Sequence, residues 1–136
     1  MKKEIADLWI AALESGEYAQ TTGSLQRVVE ATENYKKIPP GFCCLGVLCE
    51  VAIKHGLKIT KELDRNNNGL MWYDSNTDYT PPTVQKWSGM KSQSGEFSCV
   101  IDDDKDWAGG ELTDLNDSGK TFEEIAEIIR ENWERL

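Results

Sequence analysis

The sequence predicts an α+β fold. It reads as a single compact domain over residues 1–136, with a buried central helix, N- and C-terminal amphipathic helices and a small antiparallel hairpin or sheet. Three observations carry that prediction. Residues 42–55, FCCLGVLCEVAIKH, are apolar almost all the way round, the pattern of a helix surrounded by other elements. Both ends of the chain repeat apolar residues at helical spacing, as helices with one packed face do. Past the central helix, Asn68-Gly69 stands between two β-prone runs, a strong hairpin signal. Helices and strands that do not alternate regularly point to α+β rather than α/β.

Taken in order, Ile5, Leu8, Trp9, Ala12 and Leu13 follow the i, i+3, i+4, i+7, i+8 pattern, while Lys2, Lys3, Glu4, Asp7 and Glu14 fall opposite. A first helix over 2–14 ending before Gly16 follows. Residues 17–24, EYAQTTGS, are polar; 25–29 suit a short strand or an irregular return; 30–41, with Asn34, Pro39, Pro40 and Gly41, read as a loop. In the central helix, Cys44, Leu45, Leu48, Cys49, Val51, Ala52 and Ile53 cover most of the circumference. That leaves Cys43, Gly46, Glu50 and Lys54 as a narrow polar strip. Glu50 precedes Lys54 by four residues, the favourable order for an ion pair, and Gly56 suits the position after the helix end.

Beyond it, LKIT, KELD and LMWYD flank residues 65–69, giving the hairpin. Thr80 as cap, Pro81 and Pro82 in the first turn and Gly89 as terminator predict a two-turn helix with Val84 and Trp87 on one face. Residues 91–96 read as loop, 97–101 as a strand, 102–110 as an acidic turn holding Trp107, and 111–115 as one helical turn. After the break at 116–120, Thr121 and Glu124 form a capping box for a final helix to about Trp133 with Phe122, Ile125, Ala126, Ile128 and Ile129 inward. Trp133, near its end, suits either the core or a homo-oligomer contact.

With 24 acidic and 15 basic residues the formal charge is −9, so the average field repels nucleic acid and anionic lipid, and no general nucleic-acid binding is expected. The N-terminal stretch carries Glu4 and Asp7 inside its apolar pattern, which fits an amphipathic helix and neither a secretory signal nor a membrane span. Three of the four cysteines share one predicted helix, so a disulfide framework is not expected, and reduced thiols in a cytosolic compartment are.

Several constellations invite chemistry and fail on geometry. Cys44 and His55 share a helix face, but eleven residues at 1.5 Å each separate them by roughly 16 Å, too far for one metal or one proton. Buried thiols acting as small hydrophobes are the better reading, and neither metal nor cofactor is expected. Asp64, Asn66, Asn68 and Gly69 match early positions of a calcium loop, yet position twelve is Ser75 rather than glutamate, so a turn is favoured. Gly119-Lys120-Thr121 lacks the earlier glycine of a phosphate loop, where Asp114 stands. Backbone N–H groups there, with Lys120, could still hold one phosphate or carboxylate, with Asp114 and Asp117 opposing it. Trp72, Tyr73, Tyr79, Trp87 and Trp107 crowd the middle of the chain; they suit ring stacking, a protein interface or closure of the core.

WIAALESGEYAQTTGSL, GFCCLGVLCEVA, PPTVQKWSGM and LNDSGKTFEEIAEII together resemble a group of small uncharacterised proteins encoded by bacteriophages and prophages, which share a CCLGVLC helix and an LNDxGKTFxEIA C-terminal helix. In that pattern Tyr18, Gln20 and Gly23 and the Asn116-Asp117-x-Gly119 turn flank the cysteine helix; this chain departs by a longer excursion over residues 26–40. The resemblance implies stoichiometric action: sequestering a nucleotide-like signal of host defence, or covering a host protein. The expected function is thus a non-enzymatic cytoplasmic binding protein for a small nucleotide-like ligand. Its candidate ligand-binding residues are Tyr18, Gln20, Trp72, Tyr73, Tyr79, Trp87, Asn116, Lys120 and Thr121. The alternatives are an inhibitor that binds a host protein through an acidic and aromatic surface, and a cysteine- or carboxylate-dependent hydrolase.

Overall fold

The three long apolar patterns each form a helix: α1 (Lys3–Glu14), α2 (Cys44–Lys54) and α5 (Phe122–Asn132). The computed structural model describes residues 1–64, 66, 68–97, 99–100, 107–108 and 110–136, with the backbone alone for 99–100 and 107–108. Shorter elements join the helices. They are β1 (Gln26–Arg27), β2 (Ala31–Glu33), β3 (Lys36–Ile38), β4 (Gly41–Phe42), β5 (Lys61–Leu63), β6 (Met71–Tyr73), α3 (Pro82–Ser88), β7 (Cys99–Val100), β8 (Trp107–Ala108) and α4 (Leu112–Asp117). The strands pair antiparallel as β1 with β4, β2 with β3, β5 with β6 and β7 with β8. The whole is one α+β domain. Among the described residues no helix is long and apolar enough to cross a membrane.

Helix α2 is central. Cys44, Leu45, Val47, Leu48, Cys49 and Ala52 are wholly buried, and α1, α3 and α4 all pack on it, while α1 and α5 lie against each other. The indole N–H of Trp9 on α1 donates to the Cys44 carbonyl at 2.8 Å, so the largest buried side chain of α1 also ties the two helices. Helix α5 starts with the expected capping box: Thr121 Oγ1 accepts from the Glu124 N–H at 3.1 Å, and Glu124 Oε1 accepts from the Thr121 N–H at 3.2 Å.

The polar strip expected on α2 is half wrong. Cys43 is the N-cap and is buried, and Gly46 is buried because the backbone of Leu25 crosses the first turn of the helix. A Cβ at position 46 would lie 1.9 Å from the Leu25 carbonyl oxygen, far inside van der Waals contact. That same carbonyl accepts from the Cys43 N–H at 3.1 Å, so the close approach satisfies an otherwise open donor of the helix start. Nor does Glu50 pair with Lys54. Glu50 meets Lys61 at the start of β5, and Lys54 reaches Glu17, just after α1, at 2.8 Å, so both charges of the strip are taken by other segments.

Residues 30–41 were expected as loop and instead contain the hairpin β2–β3, in register from Ala31–Ile38 to Glu33–Lys36. Its turn, Asn34-Tyr35, has φ of 51° and 63°, the pair of positive φ values that matches hairpin twist; tyrosine in the second place gives no such signal in sequence. The hairpin predicted around residues 65–69 forms as β5–β6. Asp64 accepts from the Asn66 N–H and the Asn68 side-chain amide, both at 3.0 Å, so the calcium-loop resemblance resolves into an Asx turn. Trp107, expected in an acidic turn, lies on β8, and α4 runs two residues further than the single turn expected over 111–115. Pro81, not Thr80, is the N-cap of α3, and Trp133 packs partly buried against the core. The acidic run Asp102, Asp103, Asp104 and Asp106, and the side chains of Cys99 and Trp107, lie outside the described residues.

Replacing Gly46 by Ala should cost roughly 3 kcal/mol or more, since the obstructing atoms are backbone and one of the two segments must move. Urea unfolding of Gly46→Ala reads the packing cost directly, because the backbone at 46 is ordinary helix, where alanine is otherwise favoured over glycine by about 1 kcal/mol.

Candidate functional site

A loop that crosses the start of a buried helix has to be held there, and the side chain of Asn116 holds it. Asn116 is 1% exposed at the end of α4. Its Oδ1 accepts from the Cys44 N–H at 3.2 Å and from Gln20 Nε2 at 2.9 Å; its Nδ2 donates to the Thr21 carbonyl at 2.9 Å and to Asp117 Oδ1 at 3.1 Å. Both lone pairs and both protons are used, the full capacity of a primary amide. Gln20 Nε2 also donates to the Lys120 carbonyl at 2.8 Å, and the Gly23 N–H donates to Asp117 Oδ1 at 3.0 Å. The loop 19–25, the first turn of α2 and the end of α4 are therefore one hydrogen-bonded unit.

Beside this unit opens a cleft of about 220 Å³. Gly23, Ser24, Cys43, Asp78, Tyr79, Thr113, Asp114 and Asp117 line it. Ser24 is 3% exposed, and its hydroxyl has no hydrogen-bond partner among the described residues. Leaving such a group dry and unpaired costs about 1–3 kcal/mol, so it marks a place where a ligand atom would gain. The Tyr79 ring, 48% exposed, also lines a second cavity of about 270 Å³ with Gln93, Ser94 and Glu111, so the two openings share it as a wall. Thr80 Oγ1 is a second buried hydroxyl without a partner among the described residues, but Thr80 is not in either lining.

Cys43 stands at the helix start, where a thiol is ordinarily acidified. Here burial pushes it up to about 12, and the hydrogen bond from the Gly46 N–H, at 3.4 Å, opposes that only in part. Burial raises Cys44 and Cys49 well above the usual thiol range too. His55 caps the opposite end of α2 and is exposed, so it cannot serve Cys43 or Ser24 as a base.

The nine residues expected to bind ligand do not form one site. Gln20 and Asn116 are brought together, as the internal clamp. Tyr18 packs edge-on against Phe42, with ring centroids 5.2 Å apart, under Lys54. Tyr73 is buried; its hydroxyl lies 2.7 Å from both Gln26 Oε1 and Glu50 Oε1, and burial and the Glu50 contact hold the phenol well above its ordinary pKa. Trp72 lines a groove on the β5–β6 hairpin with Leu63, and Trp87 a broad shallow depression with Lys2 and Leu57. Thr121 is spent on its capping box and Lys120 faces Glu124 at 3.5 Å. The Thr121 backbone N–H and hydroxyl hold the Glu124 carboxyl below its usual range, so the start of α5 already carries its own anion.

Only Tyr79 of the nine lines the cleft. Sequence reasoning missed Ser24 and Cys43 as site residues, and it saw Asp114 and Asp117 merely as charges unfavourable to an anion. Asp78, adjacent to Tyr79, carried no separate signal.

Asn116→Ala removes four hydrogen bonds at one buried point and leaves the Cys44 N–H open. A loss of roughly 2–4 kcal/mol in urea unfolding is expected, with faster amide hydrogen exchange at Gly23 and Leu25. A loss under about 0.5 kcal/mol would mean that the clamp does not hold the loop.

No curated protein and no solved structure matches the chain. A family model does match, over residues 1–133, and the chain accordingly belongs to the family described as Domain of unknown function (DUF8296).

Proposed function

We propose that the protein is a stoichiometric binding protein and that its small ligand enters the cleft between loop 19–25, Tyr79 and α4. The observation that carries this reading is the buried, unpartnered hydroxyl of Ser24 in the lining of a polar cleft. Small-molecule sites combine such a placed polar group with an aromatic wall. What surrounds Ser24 favours capture over covalent chemistry. The neighbouring thiol is kept protonated by burial, and the histidine is at the far end of α2. Nucleophilic catalysis needs the opposite, a thiol or hydroxyl activated by a base in contact with it.

Sequestration of a host-defence signal by a phage-type protein in the bacterial cytoplasm is the setting in which one-to-one capture would act. A nucleotide would have to enter base or ribose first, since Asp78, Asp114 and Asp117 would face its phosphates. A second reading has its own support. Leu63 and Trp72 stand 51% and 37% exposed on the β5–β6 hairpin, an apolar pair of the kind that anchors protein interfaces, and this favours an inhibitor of a host protein.

Native mass spectrometry of protein purified from cells, followed by denaturation, decides between them. A released small molecule at one per chain, lost in Ser24→Val, is expected. A bare protein that instead captures a host protein through Trp72 would replace the first reading by the second. Thiol chemistry tests the hydrolase alternative separately. Burial, which pushes the Cys43 thiol up to about 12, keeps it protonated at pH 8. Iodoacetamide should therefore leave Cys43, Cys44 and Cys49 unlabelled in the native protein and label all three after unfolding; rapid native labelling of Cys43 would revive the cysteine mechanism.

A further inference from the structure

The charge around the cleft is one-sided. Asp78, Asp114 and Asp117 line the first cavity and Glu111 the second, and among the described residues neither lining contains a lysine or arginine. Among the described residues, the ion pairs of the chain lie elsewhere, on Asp7, Glu14, Glu17, Glu30, Glu50, Glu124 and Glu127. Part of the cleft's acceptor capacity is committed inside the protein. Asp117 Oδ1 takes the Gly23 N–H and the Asn116 amide, and Asp78 Oδ1 takes the Thr77 hydroxyl at 3.2 Å. The other oxygens of both carboxylates have no protein donor among the described residues, and nor does the carboxylate of Asp114. Carboxylates gathered on a surface are ordinarily only solvated. Here they surround the buried Ser24 hydroxyl, an independent vacancy for a hydrogen-bonding group. They also flank an exposed phenol ring, whose face attracts cations.

Resting on the reading that this cleft is a ligand site, we propose that it takes a small organic dication, with an ammonium or guanidinium group at each end. One group would sit among Ser24, Asp78, Asp114 and Asp117, and the chain would pass over Tyr79 to place the second near Glu111. An ammonium brings three donors and a guanidinium five, with no acceptor to repel the carboxylates. Charge-assisted bonds of this kind are about twice as strong as neutral ones. The net charge of −9 adds a long-range attraction for such a ligand and opposes any phosphate-bearing one.

The probes are agmatine and 1,4-diaminobutane, titrated into the full chain by calorimetry and by amide NMR, with 1,4-butanediol as the neutral counterpart and adenosine monophosphate as the anionic one. One-to-one binding of the dications at a Kd of about 1 mM or tighter is expected, with the largest shifts at Ser24, Tyr79 and Thr113 and no response to the diol. Asp114→Asn and Tyr79→Ala should each weaken it by about tenfold or more at unchanged melting temperature, and added salt should weaken it further. If the diol or the nucleotide binds at those residues as well as the dications do, the charge assignment is overturned while the cleft remains a ligand site. Dications that bind elsewhere or not at all overturn it too. If, in addition, no molecule released from the purified protein shifts Ser24, Tyr79 or Thr113 when added back, the binding reading falls with it.

Discussion

The architecture depends on the side-chain amide of Asn116. A helix as buried as α2 presents its first-turn N–H groups to the interior, where water cannot satisfy them, and something in the protein has to. Asn116 takes the Cys44 N–H and Leu25 takes the Cys43 N–H. The same amide binds Thr21 and Gln20, so closing the helix start and folding the polar loop across it are one event. The cleft is the space left beside that junction. Its walls are residues held in place to solve a problem of backbone satisfaction.

Glycine 46 shows the same logic from the packing side. The loop lies on α2 closely enough that no side chain fits between them, which shortens the distance that Asn116 must bridge. Burial then sets the chemistry. A helix N-terminus with a cysteine cap would elsewhere make a reactive thiolate, but the crossing loop removes the solvent that would stabilise it, and that loss of solvation outweighs the N–H groups. An ordinary consequence of tight packing thus turns a nucleophile-like arrangement into an inert wall.

The long elements were legible in the sequence because their signal is local and repeated: apolar spacing for α1, α2 and α5, a capping box at Thr121, a terminating glycine at 89. The β5–β6 hairpin was legible from its turn. The β2–β3 hairpin was not, because Asn34-Tyr35 achieves the required positive φ without the usual glycine. The polar strip on α2 misread Gly46 and Cys43, since periodicity reports which residues are apolar and not what crosses them. The site suffered most. Gln20 and Asn116, named as ligand contacts, come together as an internal clamp, in which all four bonds of the Asn116 amide and both donors of the Gln20 amide are spent on the protein itself; Thr121 and Glu124 were legible as a capping box, but Glu124 was not seen as an anion already facing Lys120. Ser24 had no pattern at all, because an unpaired hydroxyl is a property of tertiary surroundings.

The clamp joins partners far apart along the chain: Thr21 and Asn116 are separated by 95 positions, Gln20 and Lys120 by 100. No fragment of the fold can therefore contain the cleft, which comes into being only when the two distant segments have met on α2. Occupancy is then coupled to the cooperative unfolding of the entire domain and not to the ordering of one loop. A molecule held there would act as a distributed staple, slowing the opening of helices it never touches. Conversely, damage in the core would lower the affinity only once it left a measurable share of the chains unfolded.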